Sequence, residues 1–350
     1  MNKKSVLIFT CATFFIASLS HAQHDSPANK FESSDFCEAL KPVGRILEQE
    51  DWNVWGCSPI WGEDGKVHVF FSRWPGEHSN WLTKSEIAHA IADKPEGPYK
   101  VIGTVLKGRG KGHWDAHTIH NPTVQKVGDK YVMFYIGNNL DIAKEKNIHH
   151  AGTQRVGLAI ADDLSGEWIR ISDKKPILEV SSDKKDWDSY LTTNPALLQH
   201  PNGEFWLYYK AWDRNNDNLR KMGIAVAKNI EGPYKKIKEN PVVTFAHLNK
   251  QVEDAYVFNY KNKYYMIMRD MGVFHPHVGL ILESEDGINW SEPKLGYKTS
   301  ADYFGGKVRR FERPQVLMKD GKPTYLFLAL MGGKYNTSSG AVLKIDNSKF

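Results

Sequence analysis

Acidic residues stand at two places in the second half of the chain, each just before a predicted strand. They are the pair Glu253-Asp254 and the single Glu312, which is followed by Arg313. Carboxylates are costly to place near a core unless they have a partner or a task. Positioned carboxyl groups are also common proton donors and acceptors in general acid–base catalysis. Asp254 and Glu312 are therefore candidate catalytic acids.

A third acidic candidate lies in a loop that is unusually rich in functional side chains. The segment from His113 to His120 holds three histidines, one tryptophan and one aspartate in eight residues. Asp115 in this loop could act as a general base, or it could orient His117 or His120. We predict that His117 and His120 contact the substrate.

Basic residues occupy matching positions near the ends of three other predicted strands. Arg73, Lys210 and Arg269 would form an arc of positive charge, with Arg313 beside it. Guanidinium and ammonium groups bind carboxylates and sulfates, so this arc predicts an anionic ligand. The alternative is that these cations serve in internal salt bridges to Asp213, Asp270, Asp254 and Glu312.

Polar and aromatic residues near the same strand ends complete the candidate site. Asn121 and Asn194 each precede a proline, a position that asparagine also takes simply as a turn former. Trp212 could stack on a sugar face, although core packing is the common use of a tryptophan in a β-rich fold. We predict Asn121, Asn194, Trp212 and Tyr256 as further binding residues.

One hairpin pattern recurs five times and must position these residues. Each copy has a strand, a short turn containing Gly or Asn, and a returning aromatic-rich strand, as in residues 122–136 with a turn at 128–130. A second motif follows four of the hairpins: an apolar strand, a glycine turn and an aromatic residue. Five such units predict an all-β, five-bladed β-propeller. The repeats begin at Pro59, Pro122, Pro195, Ala255 and Pro314.

The fifth repeat lacks its last strand, which the start of the chain could supply. Residues 43–47 are expected to pair with residues 340–345, because this closure leaves no free sheet edge. The starts of the first strands and the ends of the second strands would then converge at one mouth of the channel, where the candidate residues lie.

The N-terminus predicts export. Lys3 and Lys4, an apolar centre and a small-residue cleavage site after Ala22 are typical of a signal peptide over residues 1–22. We expect a periplasmic or secreted protein with no membrane segment in its mature form. Residues 23–42 are predicted as a linker, and residues 43–350 as the propeller domain.

Composition excludes several classes of function. The formal net charge of +5 is not concentrated in a basic run with interleaved aromatics, so nucleic acid is not an expected partner. No Cys/His cluster has zinc spacing, and the pairs His149-His150 and His275-Pro-His277 fit solvated loops better than ligands. No cofactor is predicted, although a divalent ion such as calcium is left open. Pairing of Cys37 with Cys57 is also left open.

The chain resembles the five-bladed propeller glycoside hydrolases over about residues 43–347. The likeness rests on the five hairpins, on Gly-Pro-Tyr or Gly-x-Trp between them, and on the segments 55–75 and 311–327. It is similar to families 43 and 117 and the family 32 relatives. It resembles most an unassigned branch linked to degradation of algal polysaccharides.

The resemblance implies only part of a catalytic set. Family 43 enzymes place an Asp before the proline of blade I, where this chain has Ser58, and another in blade III, where it has Asn194. Their blade IV acid matches Glu253-Asp254. This sequence adds Glu312 in blade V and Asp115 before blade II, so we predict Asp254, Glu312 and Asp115 as the working acids. An inverting pair would be about 6.5–9.5 Å apart.

The leading hypothesis is an exo-acting glycoside hydrolase that cleaves oligosaccharides from an acidic, uronate- or sulfate-bearing algal polysaccharide. The first alternative is an eliminating enzyme, a lyase or dehydratase acting on a uronic acid, with Tyr256 and His120 moving the proton. A phosphorolytic enzyme and a non-catalytic sugar-binding propeller are the remaining alternatives.

Overall fold

The computed structural model describes residues 26–350, and within this range the chain is a five-bladed β-propeller. Twenty strands form five antiparallel sheets of four strands each. The predicted all-β class and blade number are confirmed. The predicted signal peptide, with cleavage after Ala22, lies outside the described residues.

The first four blades each use four consecutive strands. Blade I contains β2 (Trp52–Trp61), β3 (Val67–Pro75), β4 (Glu86–Ala92) and β5 (Lys100–Leu106). Blade II contains β6 (Ile119–Val127), β7 (Lys130–Gly137), β8 (Arg155–Ala161) and β9 (Ile169–Arg170). Blade III contains β10 (Leu191–Gln199), β11 (Phe205–Trp212), β12 (Lys221–Ala227) and β13 (Lys235–Lys236). Blade IV contains β14 (Val252–Tyr260), β15 (Lys263–Asp270), β16 (Gly279–Ser284) and β17 (Lys294–Tyr297).

Blade V joins the two ends of the described chain. Its inner strands are β18 (Phe311–Lys319), β19 (Lys322–Met331) and β20 (Ser338–Ile345), and its outer strand is β1 (Leu40–Ile46). Strand β1 pairs antiparallel with β20, Leu40 opposite Ile345 and Ile46 opposite Gly340. The predicted closure is confirmed, and it removes the free edge that blade V would otherwise expose.

Helices in the described chain are short and lie in connections. They are α1 (Asp35–Ala39), α2 (Trp81–Lys84), α3 (Leu140–Glu145) and α4 (Ser300–Phe304), with 3-10 turns at Pro27–Lys30, His78–Asn80, His150–Thr153 and Ala246–Leu248. None of them is long and apolar enough to span a membrane.

The part of the predicted linker that the structure describes is folded. Phe36 and Ala39 are fully buried, and the Ser34 hydroxyl donates to the Leu295 carbonyl of blade IV at 2.7 Å. Phe36 belongs to the apolar cluster between blades IV and V. Residues 26–42 were predicted as a linker from their polar composition, and this was wrong because a few apolar residues fix the segment to the domain.

The first strand of every blade carries a bulge at the same height. The paired register shifts between Trp55 and Ser58 in blade I, and between equivalent residues in the other four blades. One residue in each bulge has a positive φ, between 49° and 63°, which favours Gly, Asn and Asp. These five residues are Gly56, Asn121, Asn194, Asp254 and Arg313.

The positions of the bulges change how blade I aligns with the other four repeats. The prediction matched Ser58-Pro59 to Asn121-Pro122, but Gly56-Cys57 takes that place in the structure. The blade I position that matches Asn121 is therefore Gly56, two positions earlier than Ser58. Ser58 lies beyond the bulge, where its hydroxyl accepts a hydrogen bond from the Val124 amide at 2.9 Å.

Candidate active site

A polar pocket, partly open to solvent, lies at the mouth of the channel where the first strands begin. Its volume is about 220 Å³. It is lined by residues from all five blades and from the segment 78–81: Trp55, Ser72, Trp74, His78, Trp81, His120, Asn121, Gln154, Asn194, Lys210, Glu253, Asp254, Arg269, Arg310 and Glu312.

The five bulge residues form the floor of this pocket. Asn121 Nδ2 donates to Asn194 Oδ1 at 3.2 Å, and Asn194 Nδ2 donates to Asp254 Oδ1. The Arg313 backbone N–H donates to Asp254 Oδ2 at 3.2 Å, and Arg313 Nη2 reaches the Asn121 carbonyl at 3.5 Å. The ring of contacts places Asp254 at the base of the pocket.

Gly56 is the fifth bulge residue, and the lack of a side chain there leaves room for its neighbours in the ring. A Cβ atom there would lie 3.2 Å from Asn121 Oδ1 and 3.5 Å from Arg313 Nε. The guanidinium of Arg313, 1% exposed, uses this space. Burial lowers the pKa of Arg313, and Asp254 opposes that shift.

We expect Gly56→Ala to lower the free energy of unfolding by more than the cost of placing alanine at a positive φ. Alanine at a positive φ costs about 1 kcal/mol, and contact with the ring should raise the total to about 2 kcal/mol. Urea unfolding measures the free energy, with Gly65→Ala as the control, because Gly65 has φ 76° and open space around it. Equal losses for the two variants would contradict the packing role of Gly56.

The residues just before the bulges form the layer above the floor. They are Trp55, His120, Thr193, Glu253 and Glu312, and their cross-strand partners in blades I, III and IV are Ser72, Lys210 and Arg269. Because side chains alternate along a strand, this register decides which groups face the pocket.

Glu253 is held between two cations. Lys210 Nζ contacts its Oε1, and Arg269 Nη1 lies 2.7 Å from its Oε2. Burial alone would raise the pKa of Glu253, but Lys210 and Arg269 outweigh it and lower the pKa to about 2. Glu253 is therefore an ionised group at neutral pH, engaged on both oxygens.

Glu312 has the opposite electrostatic environment. Burial raises its pKa to about 7; Asp254 and Glu253 also raise it, while Arg269 and Arg310 lower it. Arg269 Nη1 lies 3.0 Å from Glu312 Oε1. The same nitrogen contacts Glu253, so the nearest oxygens of the two glutamates are no more than about 6 Å apart. Environments that drive two carboxyl pKa values apart are typical of an acid beside a base.

His120 lies in the same layer as a neutral group. Burial, followed by Arg313 and Lys210, lowers its pKa to about 3. Its Nε2 is 3.2 Å from the Gln154 amide, and its Nδ1 has no partner within the described chain. It can orient a substrate hydroxyl but does not carry a positive charge at neutral pH.

An aromatic wall closes one side of the pocket, and two of its members, His78 and Trp81, come from a connection that the hairpin repeat does not predict. The rings of Trp55 and His78 are 5.0 Å apart, those of Trp74 and His78 are 5.5 Å apart, and Trp81 meets His120 at 5.1 Å. Arg310 and Gln154 were also missed, because they come from connections rather than from the hairpin repeat. Glu253 was visible beside Asp254, but only the register places its side chain in the pocket.

The structure brings seven predicted residues together in this pocket: His120, Asn121, Asn194, Lys210, Asp254, Arg269 and Glu312. Arg313 lies directly behind it in the floor. Five other predicted residues lie elsewhere: Asp115, Arg73, His117, Trp212 and Tyr256.

Asp115 is a buried structural group. It is 0% exposed and forms ion pairs with Arg109 at 2.6 Å and Arg170 at 3.3 Å, and it accepts a hydrogen bond from Tyr135 at 3.0 Å. The prediction of Asp115 as a catalytic residue does not agree with this position, because its oxygens are used to hold the loop to blade II.

Arg73 and His117 point away from the pocket. Ser72, rather than Arg73, stands opposite Trp55, and a change of one residue reverses the face of a strand. Arg73 instead pairs with Glu86 at 2.8 Å and stacks on Trp52. His117 Nδ1 accepts from the Leu140 amide at 3.1 Å and so supports α3.

Tyr256 and Trp212 have different surroundings. Tyr256 lies past the bulge and lines a separate cavity of about 370 Å³ at the other end of the channel. Trp212 lies just outside the pocket, its ring centre 5.6 Å from Lys210 Nζ.

Within residues 26–350, no group of three or more His, Cys, Asp or Glu is arranged to hold a metal ion. Cys37 and Cys57 are buried and free, so the disulfide left open by the sequence is not formed. Burial raises the pKa of Cys57 to about 12.

Known proteins similar to this chain include sugar-cleaving enzymes. No family model matches the chain. It is 26% identical over 259 residues to an extracellular endo-α-(1→5)-L-arabinanase of Thermotoga petrophila, covering 66% of this chain and 49% of that protein. The chain thus spans about half the length of the curated relatives it matches.

Solved structures share the fold along nearly the whole chain. A family 117 glycoside hydrolase, Zg3597, of Zobellia galactanivorans has a TM-score of 0.67 at 17% identity, with 92% of each chain covered. A GH43_1 enzyme from Xanthomonas citri has a TM-score of 0.58 at 13% identity, covering 91% of this chain and 92% of that one. The protein is a five-bladed propeller whose structural neighbours lie in glycoside hydrolase families 117 and 43.

Proposed function

We propose that the protein is a glycoside hydrolase that removes one sugar residue from the end of an anionic oligosaccharide. The observation that carries the proposal is a carboxyl group with a pKa of about 7, Glu312, which lines the same pocket as a second carboxyl group, Asp254. Glycosidases need such a pair, one group to protonate the leaving oxygen and one to assist attack.

Glu312 is the proposed general acid. A donor is most effective when its pKa lies near the working pH, because it is then protonated in the ground state and still acidic enough to transfer the proton. The burial of Glu312 and its acidic neighbours supply this condition.

Asp254 is the proposed base or nucleophile. Glu253 is less suited, because Lys210 and Arg269 hold both of its oxygens. Asp254 is held by two N–H donors, from the Asn194 side chain and the Arg313 backbone, at the pocket floor. Glu253 then acts as a positioning residue that fixes the two cations beside the sugar.

The shape of the pocket supports attack at a chain end. Its volume of about 220 Å³ is below the ~300–1,000 Å³ of typical small-molecule sites, and the ring closes its base. One sugar residue fits, whereas a chain could not pass through. The aromatic wall offers Trp55 and Trp74 to the apolar face of that residue.

The charge of the pocket supports an anionic substrate. Lys210, Arg269, Arg310 and Arg313 bring four positive charges, while Glu253 and Asp254 bring two negative charges when Glu312 is protonated. A carboxylate or sulfate on the substrate would balance this excess. Arg310, with 42% of its side chain exposed, is the cation best placed to reach it. We also propose that the oligosaccharide derives from an algal polysaccharide.

Elimination is the weaker candidate. The proton-transfer pair suggested for it, Tyr256 and His120, lies in two separate cavities. Burial also raises the pKa of Tyr256, which makes it a poor base. Release of a saturated sugar supports hydrolysis, an unsaturated product would establish elimination, and strict dependence on added phosphate would establish phosphorolysis.

We expect Arg310→Gln to weaken the use of anionic substrates and to change the pH profile. Loss of one charge-assisted contact should lower kcat/KM by about tenfold. Because Arg310 lowers the pKa of Glu312, its removal should move the alkaline fall in kcat/KM to higher pH. Arg309→Gln is the matched control, since Arg309 does not line the pocket. An unchanged profile in Arg310→Gln would contradict the role given to Arg310.

Secretion remains a proposal. It is supported by the N-terminal sequence pattern and by the extracellular location stated for the Thermotoga petrophila relative. N-terminal sequencing of the exported protein would test cleavage after Ala22.

A further inference from the structure

A second cavity of about 430 Å³ opens beside the pocket on blade III. It is lined by Trp212, Arg214, Asn218, Arg220 and Gln251. Lys210 joins the two spaces, because it lines the pocket and its Nζ lies 5.6 Å from the Trp212 ring centre. Arg220 also approaches the pocket, with Nε 3.7 Å from Glu253 Oε1.

Two guanidinium groups lie over aromatic rings in and beside this cavity. Arg214 Cζ is 4.3 Å from the ring centre of Tyr190, and Arg220 Cζ is 4.7 Å from that of Trp212. The two rings are 5.7 Å apart. A stacked guanidinium keeps its N–H edge available for a carboxylate or sulfate, and stacking reduces the freedom it would lose on binding.

Arg220 has Glu253 as a neighbouring acid, with 3.7 Å between Nε and Oε1, but the acids nearest to Arg214 are engaged elsewhere. Asp217 pairs with Lys221 at 2.5 Å. Asp213 is 1% exposed and accepts the amides of Asn215 and Asn216. Arg214 forms no ion pair with any described residue.

The loop that carries Arg214 is held in place by side-chain contacts. Asn215 Nδ2 donates to the Lys184 carbonyl at 3.0 Å, and Asn216 Nδ2 donates to the Lys185 carbonyl at 2.9 Å. With the Asp213 contacts, these bonds fix the direction of the loop. Arg220 is fixed as well, because its Nη1 donates to Gln251 Oε1 at 2.8 Å. The two guanidinium groups therefore form a largely preformed anion site.

We propose that Arg214 and Arg220 form a binding site on blade III, here called the shelf. The shelf binds the next sugar residue of the oligosaccharide through a carboxylate or sulfate group, with Arg214 as the principal contact. The inference rests on the proposed function, since the pocket takes the terminal residue. The chain of an oligosaccharide would leave the pocket past Lys210 and lie across the Trp212 and Tyr190 rings.

Calorimetric binding to the inactive variant Glu312→Gln tests the shelf apart from catalysis. The probes are an alginate tetrasaccharide for carboxylate, a carrageenan tetrasaccharide for sulfate, and neoagarotetraose as an uncharged galactan of equal length. Adding Arg214→Gln should weaken binding of at least one anionic probe by about tenfold and leave the neutral probe unchanged. The affinity of Arg214→Lys for that anionic probe should lie between those of the parent and Arg214→Gln. Lysine keeps the positive charge but loses the two-pronged hydrogen bonding of the guanidinium group.

Lys238→Gln is the control, since Lys238 is exposed on the same blade and its one ion pair is with the neighbouring Glu239. The proposal is overturned if neither anionic probe binds, if Arg214→Gln binds both like its parent, or if it loses the neutral probe equally. Binding that depends on Arg214, without turnover of any probe by the unmodified protein, would keep the shelf and reject the hydrolase.

Discussion

Glu312→Gln is expected to lower kcat by about 10²–10⁴-fold, the range that a positioned general acid contributes. Glutamine keeps the shape of the side chain and can still contact Arg269, but it cannot deliver a proton to the leaving oxygen. Steady-state kinetics on a natural glycosidic linkage measures the loss. An activated substrate would hide it, because a good leaving group needs little protonation.

The pH profile separates a catalytic role of Glu312 from a structural one. The acid must be protonated to act, and its pKa is raised to about 7. Activity of the unmodified protein should therefore fall as pH rises through about 7, and the residual activity of Glu312→Gln should not show this fall. Glu239→Gln, a change on the exposed side of blade III, is the control. Persistence of the alkaline fall in Glu312→Gln would show that another group is the acid.

Asp254→Asn is expected to lower kcat by about 10³-fold and also to destabilise the fold. The amide cannot act as a base or nucleophile. It would also place an N–H group against Asn194 or the Arg313 backbone, and it would leave buried Arg313 without its counter-charge. These losses should cost about 3 kcal/mol of unfolding free energy.

Asp270→Asn is the matched control for the structural part of this effect. Asp270 is a buried carboxylate in the same blade that accepts four backbone amides, from Gly272 to His275, and does not line the pocket. It should lose comparable stability but keep kcat within about tenfold when assayed well below both Tm values. If both variants lose activity to the same extent, Asp254 is a structural residue of the ring.

The hairpin repeat was sufficient to predict the fold from the sequence. Alternating apolar strands and turn residues specify each blade locally, and closure through residues 43–47 follows from the missing strand in blade V. The segment 26–42 was misjudged because burial of Phe36 depends on a surface that blades IV and V create together.

The sequence predicted which strand ends meet at the site, but the side chains that face the pocket depend on the exact strand register. Asp254 lies in the bulge of its strand, Glu312 lies just before the bulge of its own strand, and both line the pocket. Pro59 comes two positions later in blade I than Pro122 does in blade II, and this hid the equivalence of Gly56 and Asn121. A one-residue difference separated Arg73 from Ser72. Asp115 carried a suggestive sequence context, but its tertiary partners Arg109 and Arg170 decide its role.

The central claim is that this pocket hydrolyses a terminal glycosidic bond with Glu312 as the acid. The most direct measurement is product analysis by anion-exchange chromatography and ultraviolet absorbance, with anionic oligosaccharides incubated with the purified protein and with Glu312→Gln. The unmodified protein is expected to release one saturated sugar per turnover from the chain end, and Glu312→Gln is expected to release almost none. An unsaturated product, internal cleavage, or equal release by both proteins would contradict it.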